Sequence, residues 1–347
     1  MTAIPAMSRR ASKAALSLLL VAATAVWGAD KVPAPQLALP IECDTLEGCL
    51  IQNYFDHDRG PGFADYTCGQ LGYDGHTGTD FRLRNLAVMR RGVEVRAASA
   101  GKVRAIRDAM PDVSIRDLES AKAIAGREAG NSVAIEHGGG WETQYSHLQS
   151  GSVRVRPGDE VKQGQVIGLV GLSGKTEFPH VHLSVRRNGE NVDPFVGWRP
   201  ASGCGGEMRP LWNDAARQRL AYRPTGVIQT GFADRKPVLE EIESGADEPL
   251  GISPDASALV FWVELFGVME GDEQQIAIFD PAGRALARQR LTFSKNQAQW
   301  FGYVGKRRSA GAWPAGRYRA EFSLYRAGAK QKRVIELSRE IEIGQRG

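Results

Sequence analysis

Between residues 75 and 196 apolar and polar positions alternate in short runs closed by glycine turns, the period-two signature of half-buried strands. The pattern predicts strands at 93–95, 102–106, 132–135, 153–155, 166–170 and 182–185. Pro157-Gly158-Asp159, Gly138-Gly139-Gly140 and Asn188-Gly189 supply the turns, so an antiparallel β unit is expected. The run is interrupted at 108–128, where Ile115, Leu118, Ala121 and Ile124 recur at helical spacing among Asp112, Asp117 and Glu119. A small helical insertion at the rim of a cleft is expected there. Residues 199–225, with Pro200, Gly203, Gly205, Gly206 and Pro210, read as a linker holding a short helix near 213–220. Beyond it, Leu259 to Val263, Ile276 to Phe279, Gln299 to Tyr303 and the alternation Tyr318, Ala320, Phe322, Leu324 predict a second β domain, a small immunoglobulin-like sandwich over 226–347.

The chain's 347 residues leave room for two cores, and 42% hydrophobic with 24% charged residues is ordinary for a globular protein. Residues 1–28 differ: Arg9, Arg10 and Lys13 precede a mostly apolar stretch from Ala14 to Trp27, too short for a membrane span and typical of a secretory signal peptide. Without those three cations the balance is 41 basic to 40 acidic residues, which gives no argument for a nucleic-acid partner. Export to the periplasm or medium, with no stable membrane insertion after cleavage, is the expectation. Cys43, Cys49, Cys68 and Cys204 suit an oxidising compartment. Three pairings are possible; the short loop from Cys43 to Cys49 favours their union and leaves Cys68 for Cys204. Residues 29–72 read as a loop-rich lead, in which Asp56-His57-Asp58-Arg59-Gly60 echoes a calcium loop without its distal Glu and is taken as structural wrapping.

Four of the six histidines and one aspartate carry the candidate chemistry. Imidazole and carboxylate are the ligands of catalytic zinc, three of them leaving a fourth position open. His76 and Asp80, about 13 Å apart on a straight strand, could share an ion only if the chain bends between them, where Gly75 and Gly78 offer permissive backbone. His180 and His182 point to one strand face, so that one can bind a metal while the other stands beside it. His147, in Tyr145-Ser146-His147-Leu148, lies between them in sequence. His137, before three glycines, reads as a turn residue, and His57 lies outside the pattern.

With these residues in view, the stretch from Tyr73 to Phe195 resembles the lysostaphin-type (LytM-like) zinc metalloendopeptidases that cut peptides in bacterial peptidoglycan. The motifs are Gly75-His76-Thr77-Gly78-Thr79-Asp80, the segment Gly130 to His137, Tyr145 to Leu148, Gly158 to Gly168, Pro179-His180-Val181-His182 and Asn191-Val192-Asp193-Pro194. The resemblance implies a LytM-like peptidase domain over 73–198 and one zinc per chain held by His76, Asp80 and His182. It implies that His147 and His180 act on protons and transition-state charge, and that peptidoglycan peptides are the substrate. Two departures stand out: Ser184 where many relatives have Glu, and the bulky pair Glu177-Phe178 before Pro179-His180. A non-catalytic peptidoglycan-binding regulator of another hydrolase is the alternative, disfavoured because all five site residues are present. A biotinyl-type carrier, suggested by the hairpin at 158–168, lacks a lysine at an exposed tip.

Overall fold

The computed structural model describes residues 1–2, 32–42, 49–117, 124–198, 203–245, 251–328 and 332–344. The expected signal peptide and the expected Cys43 to Cys49 pairing lie outside the described residues. Among the described residues no helix is long and apolar enough to cross a membrane. The chain is mainly β. Its first half carries β1 (Cys49–Asn53), β2 (Thr79–Leu83), α1 (Leu86–Arg90), β3 (Glu94–Arg96), β4 (Gly101–Arg107), β5 (Asn131–Glu136), β6 (Trp141–Leu148), β7 (Glu160–Val161), β8 (Val166–Leu169), β9 (His180–Arg187) and β10 (Glu190–Val192). The second half carries α2 (Asp214–Arg219), β11 (Gly226–Ala233), α3 (Leu239–Ser244), β12 (Gly251–Ile252), β13 (Ala258–Val268), β14 (Glu273–Phe279), β15 (Ala285–Thr292), β16 (Gln297–Arg307), β17 (Gly316–Arg326) and β18 (Lys332–Ile343).

The first sheet runs β1-β2-β9-β6-β5-β4-β7, with β10 added to β9, while β3 and β8 pair separately. Every neighbouring pair in it is antiparallel. The central place of β9 follows from its sequence: Val181, Leu183 and Val185 are fully buried on one face, which turns His180, His182 and Ser184 to the other. In register, β2 sets Asp80 opposite His182 and Arg82 opposite His180, and β6 sets Ser146 opposite His182.

Two expectations need correction. Residues 153–155 form no strand, because the ladder stops after one bond: Arg154 N donates to Ile167 O, whereas Val153 N turns to the Asp108 carboxylate. The helical insertion expected at 108–128 falls largely on residues 118–123, which lie outside the described residues; before them a 3₁₀ turn occupies Ile115–Asp117. There Asp112 accepts from Leu172 N and Ser150 N, which holds the chain extended beside the loop that follows β8. The segment expected as a linker is packed, not loose. Leu211 and Trp212 are buried in the first core, and Leu37 bonds to Leu211 O on one side and accepts from Asn213 N on the other. The short helix expected there is α2, capped by the Asn213 side chain on Ala216 N.

In the second half a three-stranded sheet, β11-β13-β16, faces a five-stranded one, β12-β18-β17-β14-β15. Phe261, Val263 and Leu265 of β13 meet Ile276 and Ile278 of β14 and Phe322 and Leu324 of β17 in one core, the arrangement of a β-sandwich. The β14 to β15 hairpin turns where the sequence places it, with Asp280 accepting from Ala282 N and Arg284 N and Gly283 at φ 77°. The two halves touch closely: Ile228 and Phe266 join the core of the first half, and all eleven residues of β13 are buried. Cys68 and Cys204 form a disulfide that ties the lead to the segment after the first sheet.

Candidate metal centre and active site

The bend expected between His76 and Asp80 is present. Asp80 lies in β2 and His76 in the loop before it, where Gly75 adopts φ 74° and its N–H donates to Asp56 Oδ2. Gly78 serves a different need: a Cβ there would stand 2.5 Å from His182 Nε2 and 2.6 Å from Leu183 O. The polar atoms converge at 3.1 Å for His76 Nε2 to Asp80 Oδ1, 2.8 Å for His182 Nδ1 to Asp80 Oδ1, and 3.1 Å between the two ring nitrogens. These residues are the group among the described residues whose ligand atoms lie close enough to hold one ion. Two nitrogens and one carboxylate oxygen, on buried His76 and Asp80 and half-buried His182, suit a zinc-type ion with an open position.

Each ring is held from behind. His76 Nδ1 donates to Tyr54 O at 2.6 Å, so its Nε2 lone pair faces the centre. His182 Nε2 meets Ser184 Oγ at 3.0 Å, which leaves Nδ1 inward. Asn53 Nδ2 donates to Asp80 Oδ2 at 2.9 Å, fixing the carboxylate while Oδ1 stays with the histidines. His147 Nδ1 donates to Ser173 O at 2.8 Å and His180 Nδ1 to Phe178 O at 2.9 Å, so both rings present Nε2 lone pairs. The His147 and His180 rings lie 4.6 Å apart, and His180 Nε2 lies 3.5 Å from Asp80 Oδ1. His147 has φ 62°, a left-handed backbone that a non-glycine residue adopts at a cost, placed here beside the candidate centre.

The electrostatics follow from burial and from Asp80. Burial pushes the Asp80 pKa up, but the imidazoles of His76, His180 and His182 outweigh it and hold the carboxyl well below its usual range. Burial opposes and Asp80 with Tyr54 O favours the protonated form of His76, whose pKa rises on balance. Burial, with His180 and His182 nearby, holds His147 well below the ordinary histidine value, so its ring is neutral near pH 7. Burial likewise lowers His182 against the pull of Asp80.

All five residues singled out in the sequence meet at this one place. His137 lies apart, bonded to Ala100 O and Thr143 Oγ1, and His57 pairs with Asp193 at 2.7 Å away from the centre. The partners Asn53, the Tyr54 carbonyl and the Ser173 carbonyl were not foreseen, since two act through backbone atoms and Asn53 lies in a strand without a motif. Tyr73, whose ring lies 4.6 Å from that of His76, was also missed.

Residues 74–194 match the family described as Peptidase family M23. The DD-carboxypeptidase/endopeptidase Mpg of Neisseria meningitidis serogroup B is 43% identical over 65 residues, 19% of this chain and 14% of that protein. The peptidoglycan DD-endopeptidase ShyC of Vibrio cholerae is 36% identical over 92 residues, 26% of this chain and 21% of that protein. The chain thus spans about a fifth or less of the length of these relatives. The catalytic domain of lysostaphin from Staphylococcus simulans aligns with 40% of this chain and 89% of its own length at 28% identity, with a TM-score of 0.26. The stretch that brings the histidines and Asp80 together is thus the one that is similar to Peptidase family M23 and to these endopeptidases.

Proposed function

We propose that this protein is an exported zinc metalloendopeptidase that hydrolyses peptide bonds in peptidoglycan, with one zinc per chain on His76, Asp80 and His182. The observation that carries this reading is the convergence of three ligand atoms with two further imidazoles whose Nδ1 atoms are already committed to carbonyls. A bound zinc ion supplies Lewis acidity, polarising the scissile carbonyl and acidifying the attacking water. The chain's own residues do the rest. Tyr54 O, Ser184 Oγ and Asn53 keep the ligands aimed, which second-sphere contacts do at a cost of 10- to 100-fold when lost, as an order of magnitude. A neutral Nε2 of the His147 and His180 pair accepts the proton of the attacking water. The resulting imidazolium returns it to the leaving amine or faces the tetrahedral oxyanion.

The name of the Vibrio cholerae relative supports peptidoglycan as the substrate, and the N-terminal segment and the Cys68 to Cys204 disulfide support a place in the periplasm or medium. Mass spectrometry of fragments released from purified peptidoglycan, with and without a chelator, tests the reading. New peptide termini that appear only with metal are expected; release of no fragment by zinc-loaded protein would favour a binding or regulatory role.

A further inference from the structure

The two residues before Pro179-His180 are tied to the second half of the chain by separate arginines. On one side, Arg116 donates to Glu177 Oε2 at 2.9 Å and to Glu243 Oε2, in α3, at 2.9 Å. On the other, Arg82 is fully buried, with its guanidinium 4.4 Å from the Phe178 ring centre and 3.1 Å from Glu264 Oε1 in β13. Gln299 of β16 joins the two arms, donating to Glu243 Oε1 at 3.1 Å and to Glu264 Oε1 at 2.5 Å. The circuit closes on the loop that carries His180. Phe178 packs its ring 4.9 Å from that of His180 and offers its carbonyl to His180 Nδ1, and Arg82 stands opposite His180 in the strand register.

We infer that Glu264 and Gln299 of the second half are positioning residues for His180, acting through Arg82 and Phe178. The inference rests on the peptidase reading above only in its kinetic consequence. A flexible loop cannot hold an imidazole within the fraction of an ångström that proton transfer needs, and mispositioning by about 1 Å can cost 100-fold. The first half supplies one anchor of its own to Arg82, Gln52 Oε1 at 2.5 Å, but the countercharge to the buried guanidinium is Glu264. A buried charge without its partner must find water or another group, and here the movement that would achieve it draws the guanidinium off the face of Phe178.

The test uses the full, zinc-loaded chain. Glu264→Gln and Phe178→Leu are each expected to lower kcat between about 10- and 100-fold with KM nearly unchanged and zinc retained. Because Glu264→Gln leaves Arg82 unpaired and can fail to fold, the double variant Arg82→Leu with Glu264→Leu removes both charges and is expected to fold while showing the same fall in kcat. Glu264→Asp, which keeps the charge, is expected to recover part of the rate. A second readout needs no substrate: the ¹⁵N spectrum of the His180 ring, a single Nδ1–H tautomer in the parent, is expected to show mixed tautomers in each impaired variant. Folded variants with parental kcat and an unchanged His180 spectrum would overturn the inference. An inactive parent with the expected spectral changes would instead count against the peptidase reading while leaving the positioning intact.

Discussion

Gly78→Ala is a change of one methyl group at a residue that touches no ligand through bonds, yet it should empty the metal centre. The added Cβ would meet His182 Nε2 at 2.5 Å and Leu183 O at 2.6 Å, where ordinary contact starts at 3.4 Å. Leu183 is the register partner of Thr79, so its carbonyl can give way by about 0.8 Å only with a local shift of the β2 to β9 ladder, whereas the imidazole can yield on its own. It must retreat by about 0.9 Å, the gap between those two distances. Metal ligation tolerates roughly 0.2 Å, so the displaced ring leaves two ligands, His76 and Asp80, and breaks its contact with Ser184 Oγ. Overpacking of this size costs about 1 to 3 kcal/mol, which a folded domain survives. The expected result is native circular dichroism with zinc stoichiometry near zero after dialysis, measured by elemental analysis. Full zinc content in the folded variant would refute the reasoning, and so would global unfolding, since the strain would then reside in the sheet and not in the ligand.

Single alanine replacements of His76, Asp80 and His182 should each abolish stoichiometric zinc, whereas His147→Ala and His180→Ala should keep it and lose roughly 100- to 10,000-fold in kcat; metal analysis beside peptide release separates the two groups. Burial lowers the His137 pKa against its bond to Ala100 O, so below about 6.5 the unfolded chain takes up a proton that the folded one refuses. Stability should therefore fall as pH drops through that value until the folded ring is protonated too, and His137→Gln should flatten this slope in denaturant titrations between pH 7 and about 5. The Cys68 to Cys204 disulfide spans a sequence separation of 136, for which chain entropy assigns roughly 5 kcal/mol, so the double serine variant should unfold at clearly lower denaturant in an equilibrium titration.

The ligand-bearing strands were legible because their chemistry is local. His-x-His on one face of β9 and the glycine-flanked bend before Asp80 are written in a few consecutive residues. The strand expected at 153–155 failed because alternation of Val153 and Val155 says nothing of where amide 153 will bond, and a carboxylate 45 residues away in the insertion, Asp108, took it. At the insertion, Asp112 commits its side chain to two amides across a loop, a tertiary contact that no local pattern announces. Gly78 was read as a source of backbone freedom and proves to be a matter of space. The part played by Arg82 was invisible for a related reason: its partner is 182 residues away and lies in a strand that reads, taken alone, as the wall of a separate sandwich.

That strand, β13, is buried along its whole length, with one face in the sandwich core and Glu264 and Phe266 turned to the peptidase half. A wall common to two rooms cannot be taken down from one side. Its backbone amides can meet solvent only when both halves open, so hydrogen exchange along Ala258–Val268 should proceed at the rate of global unfolding, and calorimetry should record the two β units melting as one transition.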